Sequence, residues 1–259
     1  MAAAARAPTA FAAVADLEHI VPLLNHVQAA TGGAVSAFEL VPRIGLAFVL
    51  KHVSGARDPL PAPSPWYVLI EIEAGAANPL ESSLATALAG AGAFISDAAI
   101  ASNDRQRADF WLLRERLSEA QKPEGGSIKH DISVPLSAIA GFIARASAAV
   151  TRACPGIRPV PFGHVGDGNV HFNLSQPVGA DRAEFLARWE ELSRIVHDIA
   201  AELGGSISAE HGLGLMKREE ILHYKSATEI ALMRTLKAAL DPLGLMNPGK
   251  MLIRPSTSS

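Results

Sequence analysis

His164 and His171 flank an Asp-Gly pair in PFGHVGDGNVHFNL, and Glu210 and His211 follow in ISAEHGLGLMKRE. Asp167-Gly168 is the strongest short hairpin signal in the chain, because both positions tolerate the positive φ of a two-residue turn. Such a turn predicts His164 directly opposite His171, and Phe162 opposite Asn173. Opposed residues share a face with Cβ atoms about 5 Å apart. Two imidazoles so placed can hold one divalent cation. Glu210 can then complete a two-histidine, one-carboxylate set with open positions for substrate. Glu210 and His211 are adjacent, so a regular strand would point them to opposite faces. Both serve one site only if the chain turns there, which Gly212 and Gly214 permit.

Plainer roles compete at each of these positions. His19, His26, His52, His197 and His223 read as ordinary polar groups. A turn aspartate such as Asp167 more often bonds its own backbone than a metal. Glu210 reads equally as a solvated strand end, and His211 as a cap on the next helix. Arg114 and Ser118 are i, i+4 neighbours on one helix surface. Lys129 lies on the polar face of the following strand. By themselves these read as a solvated face, with Lys129 paired to Asp131 and Arg114 to Glu115 or Glu119.

The elements that must position these groups follow from periodicity and breakers. Helices are expected over 11–30, 79–90, 104–122, 136–152 and 182–203, the last with apolar residues stepping by three and four from Phe185 to Leu203. Strands are expected over 35–41, 66–74, around Phe94, over 127–134 and in SISAEH, with the histidine hairpin after the fourth helix. Ser226 to Glu229 reads as a capping box for a final helix that stops by Asp241-Pro242. The four prolines between Gly55 and Pro65 require a loop. Irregular alternation and a tight hairpin predict an α+β fold, a mostly antiparallel sheet with helices packed on it. No composition shift divides the chain.

Composition narrows the function. The chain has 259 residues, 49% of them hydrophobic and 19% charged, enough for a substantial core. Its net charge of −3 and the lack of a Lys/Arg stripe argue against a nucleic-acid partner. Mean hydropathy is +0.19, but no apolar run reaches the ~20 residues of a spanning helix. The one cysteine, Cys154, fits a reducing compartment and a structural role. The Ala-rich residues 1–10 read as a disordered or expression-derived start, 11–253 as the domain, and 254–259 as a tail.

Several segments together resemble one family. WLLRERLSEA, the Lys129 strand, PFGHVGDGNVHFN, SAEHGLG and MNPGKM are similar, in that order, to the C-terminal domain of FAD-linked oxidases of the D-lactate and D-2-hydroxyglutarate dehydrogenase type. AVSAFELVP and PWYVLIEIE resemble the same domain.

The resemblance implies a ferredoxin-like cap on a separate domain that holds most of the FAD. That FAD-binding domain is expected to be absent from this chain and supplied in cis or in trans. The resemblance implies His164, His171 and Glu210 as metal ligands, with zinc suiting the set and manganese or iron as alternatives. It implies His211 as general base. Arg114, Ser118, Lys129 and Asn173 match positions that hold substrate carboxylates and hydroxyl, with Ser118 standing where threonine is expected. Asn169 and the segment Asn247 to Lys250 fall where the family approaches the flavin.

The implied reaction oxidises a D-2-hydroxy acid to the 2-oxo acid, with 2-hydroxyglutarate favoured over lactate. Electrons would pass to an electron-transfer flavoprotein, a cytochrome or a quinone. The implied location is cytoplasmic, or mitochondrial in a eukaryote. A metal-dependent hydrolase and a non-catalytic docking module remain the alternatives.

Overall fold

The computed structural model describes residues 7–73 and 80–252, and side chains of residues 80–82 lie outside that description. The start as far as residue 6, Ala74, Pro79 and the end from residue 253 also lie outside the described residues. The chain divides into two compact units, Met1–Ile207 and Ser208–Ser259, at a point where composition gives no signal.

Unit 1 runs β1 (Thr9–Val14), α1 (Ile20–Ala30), β2 (Val35–Pro42), α2 (Arg43–His52), β3 (Trp66–Ile72) and α3 (Leu80–Ala89). It continues with β4 (Asp97–Ile100), α4 (Asp104–Glu115), α5 (Leu117–Ala120), β5 (Ser127–Ile128) and β6 (Asp131–Ser133). It ends with α6 (Ile139–Ala153), β7 (Arg158–His164), β8 (Asn169–Ser175), α7 (Arg182–Ala187) and α8 (Trp189–Glu202).

Among the described residues the strands form one eight-stranded sheet, ordered β4-β1-β3-β2-β7-β8-β5, with β6 also on β8. Its pairings are antiparallel, as the α+β expectation requires. Strand alternation sends successive side chains to opposite faces, and both faces are covered. Leu40, Val68, Ile70, Phe172 and Leu174 pack with Leu23 of α1, Leu84 of α3, Phe142 of α6 and Val196 of α8. Their neighbours Val41, Tyr67, Leu69, Val160 and Phe162 pack with Leu46 of α2, Phe110 and Leu113 of α4 and Leu117 of α5.

Several sequence expectations are corrected. The helix expected over 11–30 is a strand to Val14 and a helix only from Ile20. Phe11, Ala12 and Ala13 gain more from burial between β3 and β4 than alanine's helical preference supplies. Thr9 and Ala10, assigned to a loose start, are buried in β1. The strand near Phe94 lies instead at Asp97–Ile100. The helices over 104–122 and 182–203 are each interrupted, near Arg116 and Arg188. The strand over 127–134 is split at Lys129-His130, although both halves keep one register on β8. SISAEH forms no strand; Ser206 alone bridges Ser133.

A half-buried carboxylate fastens α2 to the sheet. Glu124 accepts from Lys51 Nζ at 2.7 Å, His52 Nε2 at 2.6 Å and Arg158 Nη1 at 2.6 Å. The hydrogen bonds from Lys51, His52 and Arg158 hold its pKa down at about 2. A carboxyl depressed on folding stabilises above its unfolded pKa and loses that contribution as pH falls through the folded value. Between about pH 4.5 and 2 this site should therefore lose about 2 kcal/mol, a figure discounted because Lys51 is exposed. Glu124→Gln should flatten that part of the acid-unfolding curve. Equal pH dependence in variant and wild type would contradict the assignment.

Unit 2 contains α9 (Ile221–Tyr224) and α10 (Ala227–Leu240). The expected capping box opens α10, with Ser226 Oγ accepting from Glu229 N and the Glu229 carboxylate accepting from Ser226 N. The NPGK segment turns with positive φ at Asn247 and Gly249. It is tied back by Met251 N donating to Gly214 O and Arg218 Nη1 donating to Gly249 O. Leu232, Leu236 and Leu240 form an exposed stripe along α10, followed by exposed Leu243, Leu245 and Met246.

Candidate metal and substrate site

The histidine hairpin departs from its predicted register. Phe162, not His164, pairs with His171, and Val160, not Phe162, pairs with Asn173. The reason is a longer connection. Val165–Asp167 forms a 3-10 turn closed by Gly168 in the left-handed region, with Gly168 N donating to Val165 O. Asp167 Oδ1 accepts from Asn169 N at 3.0 Å, so this aspartate serves its own turn.

Two glycines make that turn fit. A Cβ at Gly163 would sit 2.6 Å from Asn169 O, and one at Gly168 would sit 2.3 Å from Val134 O. The register error is two residues, and a shift of two preserves the face. His164 and His171 therefore still meet, ring centroids 5.7 Å apart and planes 76° apart.

Four strands lay a row of ligand-type side chains across this face. Glu39 on β2 pairs with His164 on β7, and Asp131 on β6 pairs with His171 on β8. Glu39 Oε1 lies 2.7 Å from His164 Nδ1, while Asp131 Oδ1 lies 3.8 Å from His171 Nδ1. Both carboxylates are buried, Glu39 at 3% exposure and Asp131 at 2%. His164 is more open than His171, with side-chain exposures of 41% and 14%.

Neither carboxylate is among the site residues that the sequence suggests. The available signal was Glu39 itself, a charge inside the apolar run AFELV, where burial demands a partner.

That partner includes Arg114. Its Nε donates to Glu39 Oε2 at 2.7 Å, and its guanidinium lies 5.0 Å from the Phe162 ring centroid. The expected pairing of Arg114 with Glu115 or Glu119 does not form; Arg116 takes Glu119. Burial would push the Glu39 carboxyl up. The His164 hydrogen bond and the Arg114 charge outweigh it and hold the pKa below the ordinary value. Arg114 is buried by this arrangement, but its Nη groups make no hydrogen bond among the described residues.

The remaining sequence candidates divide between the two units. Ser118 is half-buried on α5, one turn beyond Arg114, and helical bonding continues past the break through Ala120 N to Arg116 O. The register shared by β5 and β6 sets Lys129 opposite Asn173. Lys129 is exposed and makes no ion pair among the described residues, so the expected pair with Asp131 is not formed. Asn173 is buried. Asn169 is buried at the start of β8, and its Oδ1 has no hydrogen-bond partner among the described residues. Glu210, His211, Asn247 and Lys250 belong to unit 2.

Unit 1 thus offers a divalent cation two adjacent imidazoles, with carboxylates beside them. That donor chemistry fits zinc or a similar ion. Arg114 is held beside it through Glu39, and the backbone of Lys129 lies two residues along the chain from Asp131; both residue types suit anionic groups.

Residues 3–251 match the family model described as FAD linked oxidases, C-terminal domain. A D-2-hydroxyglutarate dehydrogenase of Xanthomonas citri pv. viticola is 38% identical over 222 residues, which are 84% of this chain and 46% of that protein. The mitochondrial D-2-hydroxyglutarate dehydrogenase of Arabidopsis thaliana is 34% identical over 247 residues, covering 94% of this chain and 42% of that protein. The chain therefore spans about half the length of the curated relatives it matches. Among solved structures, substrate-bound p-cresol methylhydroxylase superposes with a TM-score of 0.62 at 11% identity, covering 96% of this chain and 53% of that one. That likeness shows a shared fold.

Proposed function

The chain belongs to the FAD-linked oxidases as their C-terminal domain, and on that footing we propose that it is the substrate- and metal-binding half of a dehydrogenase oxidising a D-2-hydroxy acid to the 2-oxo acid. The observation that carries this reading is the pair of imidazoles on one sheet face, with Arg114 fixed beside them.

In this reading His164 and His171 hold a divalent cation together with Glu210. Bound there, the cation supplies a Lewis acid that lowers the substrate hydroxyl pKa. FAD, held mainly by a separate domain, supplies the acceptor for the hydride leaving C2. His211 takes the hydroxyl proton. Arg114 grips a carboxylate through its Nη groups, Ser118 adds a hydroxyl, and Lys129 supplies a second positive charge. Asn173 supports the substrate from the strand opposite Lys129. Asn169, Asn247 and Lys250 line the approach of the flavin, and the orphaned Asn169 Oδ1 supports a role for that residue.

Two cations besides the metal favour a dicarboxylate, so D-2-hydroxyglutarate is the preferred substrate over lactate. The FAD-binding domain, in cis or in trans, is the expected partner, and the exposed apolar stripe of α10 is the kind of surface another domain covers. Electron-transfer flavoprotein is the proposed acceptor. No helix among the described residues is long and apolar enough to cross a membrane. The cytoplasm is the proposed location, or the mitochondrion if the source is eukaryotic, as for the Arabidopsis relative.

The test is dye reduction by the chain assembled with a FAD-binding partner domain. D-2-hydroxyglutarate should be oxidised and D-lactate more slowly. Lys129→Met should lower kcat/KM for the dicarboxylate about 10-fold to 100-fold, the worth of one charged hydrogen bond. The lactate rate should change little. Equal losses on both substrates would contradict the assignment of Lys129.

A further inference from the structure

Glu39 meets two groups with fixed demands. Arg114 Nε can only donate, and it donates to Oε2. A carboxylate ion-paired in this way only accepts, so the 2.7 Å contact at Oε1 requires a proton on His164 Nδ1. With that proton in place, the lone pair of a neutral ring lies on Nε2. A ligating histidine is commonly fixed this way, its other nitrogen donating to a carboxylate. Asp131 Oδ1 stands farther from His171 Nδ1, at 3.8 Å.

We propose that Glu39 is a positioning residue that sets the His164 tautomer for metal ligation through Nε2 and, by its second oxygen, holds Arg114 at the substrate site. One buried carboxylate thereby joins the metal ligand to the substrate clamp. The inference rests on the metal reading above.

Glu39→Gln tests it sharply. Arg114 Nε must face an oxygen, so the glutamine carbonyl turns toward Arg114. The amide NH2 then faces His164 Nδ1, which becomes an acceptor. The ring proton moves to Nε2, the atom meant to ligate. Arg114 keeps its partner, so KM should change less than metal affinity.

The measurements use the full 259-residue chain. Ring-nitrogen NMR on metal-free protein at alkaline pH should show His164 protonated at Nδ1 in the wild type and at Nε2 in Glu39→Gln. Zinc competition titrations should show the variant binding 10-fold to 100-fold more weakly, the usual effect of removing such a partner. An Nε2-protonated His164 in the wild type overturns the proposal without any variant, should Glu39→Gln fail to fold. Unchanged zinc affinity in a folded Glu39→Gln also overturns it. Zinc binding equally weak in wild type and His164→Ala defeats the metal reading instead, and the tautomer result then decides the role of Glu39.

Discussion

His211→Ala is expected to lower kcat by ~10²–10⁴-fold, the contribution of a positioned general base. The assay is dye reduction by the chain assembled with its FAD-binding domain. Zinc content should stay unchanged, because His211 takes a proton and holds no metal in this account. Loss of zinc along with activity would exchange the roles of His211 and Glu210. Those two residues are adjacent in the chain and both carry ligand-type atoms, so metal analysis beside kinetics separates them.

His171→Ala should act first on the metal. Structural zinc sites bind with roughly 10–16 kcal/mol shared over their ligands, so one imidazole accounts for about 3 kcal/mol, or ~10²–10³-fold in affinity. The sheet should survive the change, since His171 is partly exposed and its neighbours Phe172 and Leu174 fill the opposite face. Chelator competition on the folded variant reads the loss. Affinity within a factor of three of wild type would remove His171 from the ligand set.

Much of this site is legible in the residues, because it depends on parity more than on turn type. Asp167-Gly168 predicts a two-residue turn, whereas the chain uses a 3-10 turn closed by Gly168. The longer turn moves partners by two, and the histidines keep their shared face. Glu39 carries no functional assignment in the sequence alone, since a lone Glu in a strand gives no hint of which distant residues will reach it. Arg114 lies 75 residues away and His164 125.

The residues of β1 suggest helix because alanine-rich sequence favours helix locally, while the open slot between β3 and β4 is a tertiary fact. The capping box of α10 is legible in the sequence, because its signal lies within four consecutive residues. The division after Ile207 leaves no compositional trace, so nothing in the residues marks it.

The most direct test of the account is an anomalous-difference map at the zinc absorption edge, from crystals of the chain grown with zinc. The account predicts one peak about 2.0–2.1 Å from a nitrogen of both His164 and His171, and about 2.0–2.2 Å from a Glu210 carboxylate oxygen. A peak bound by other side chains and distant from His164 would contradict it.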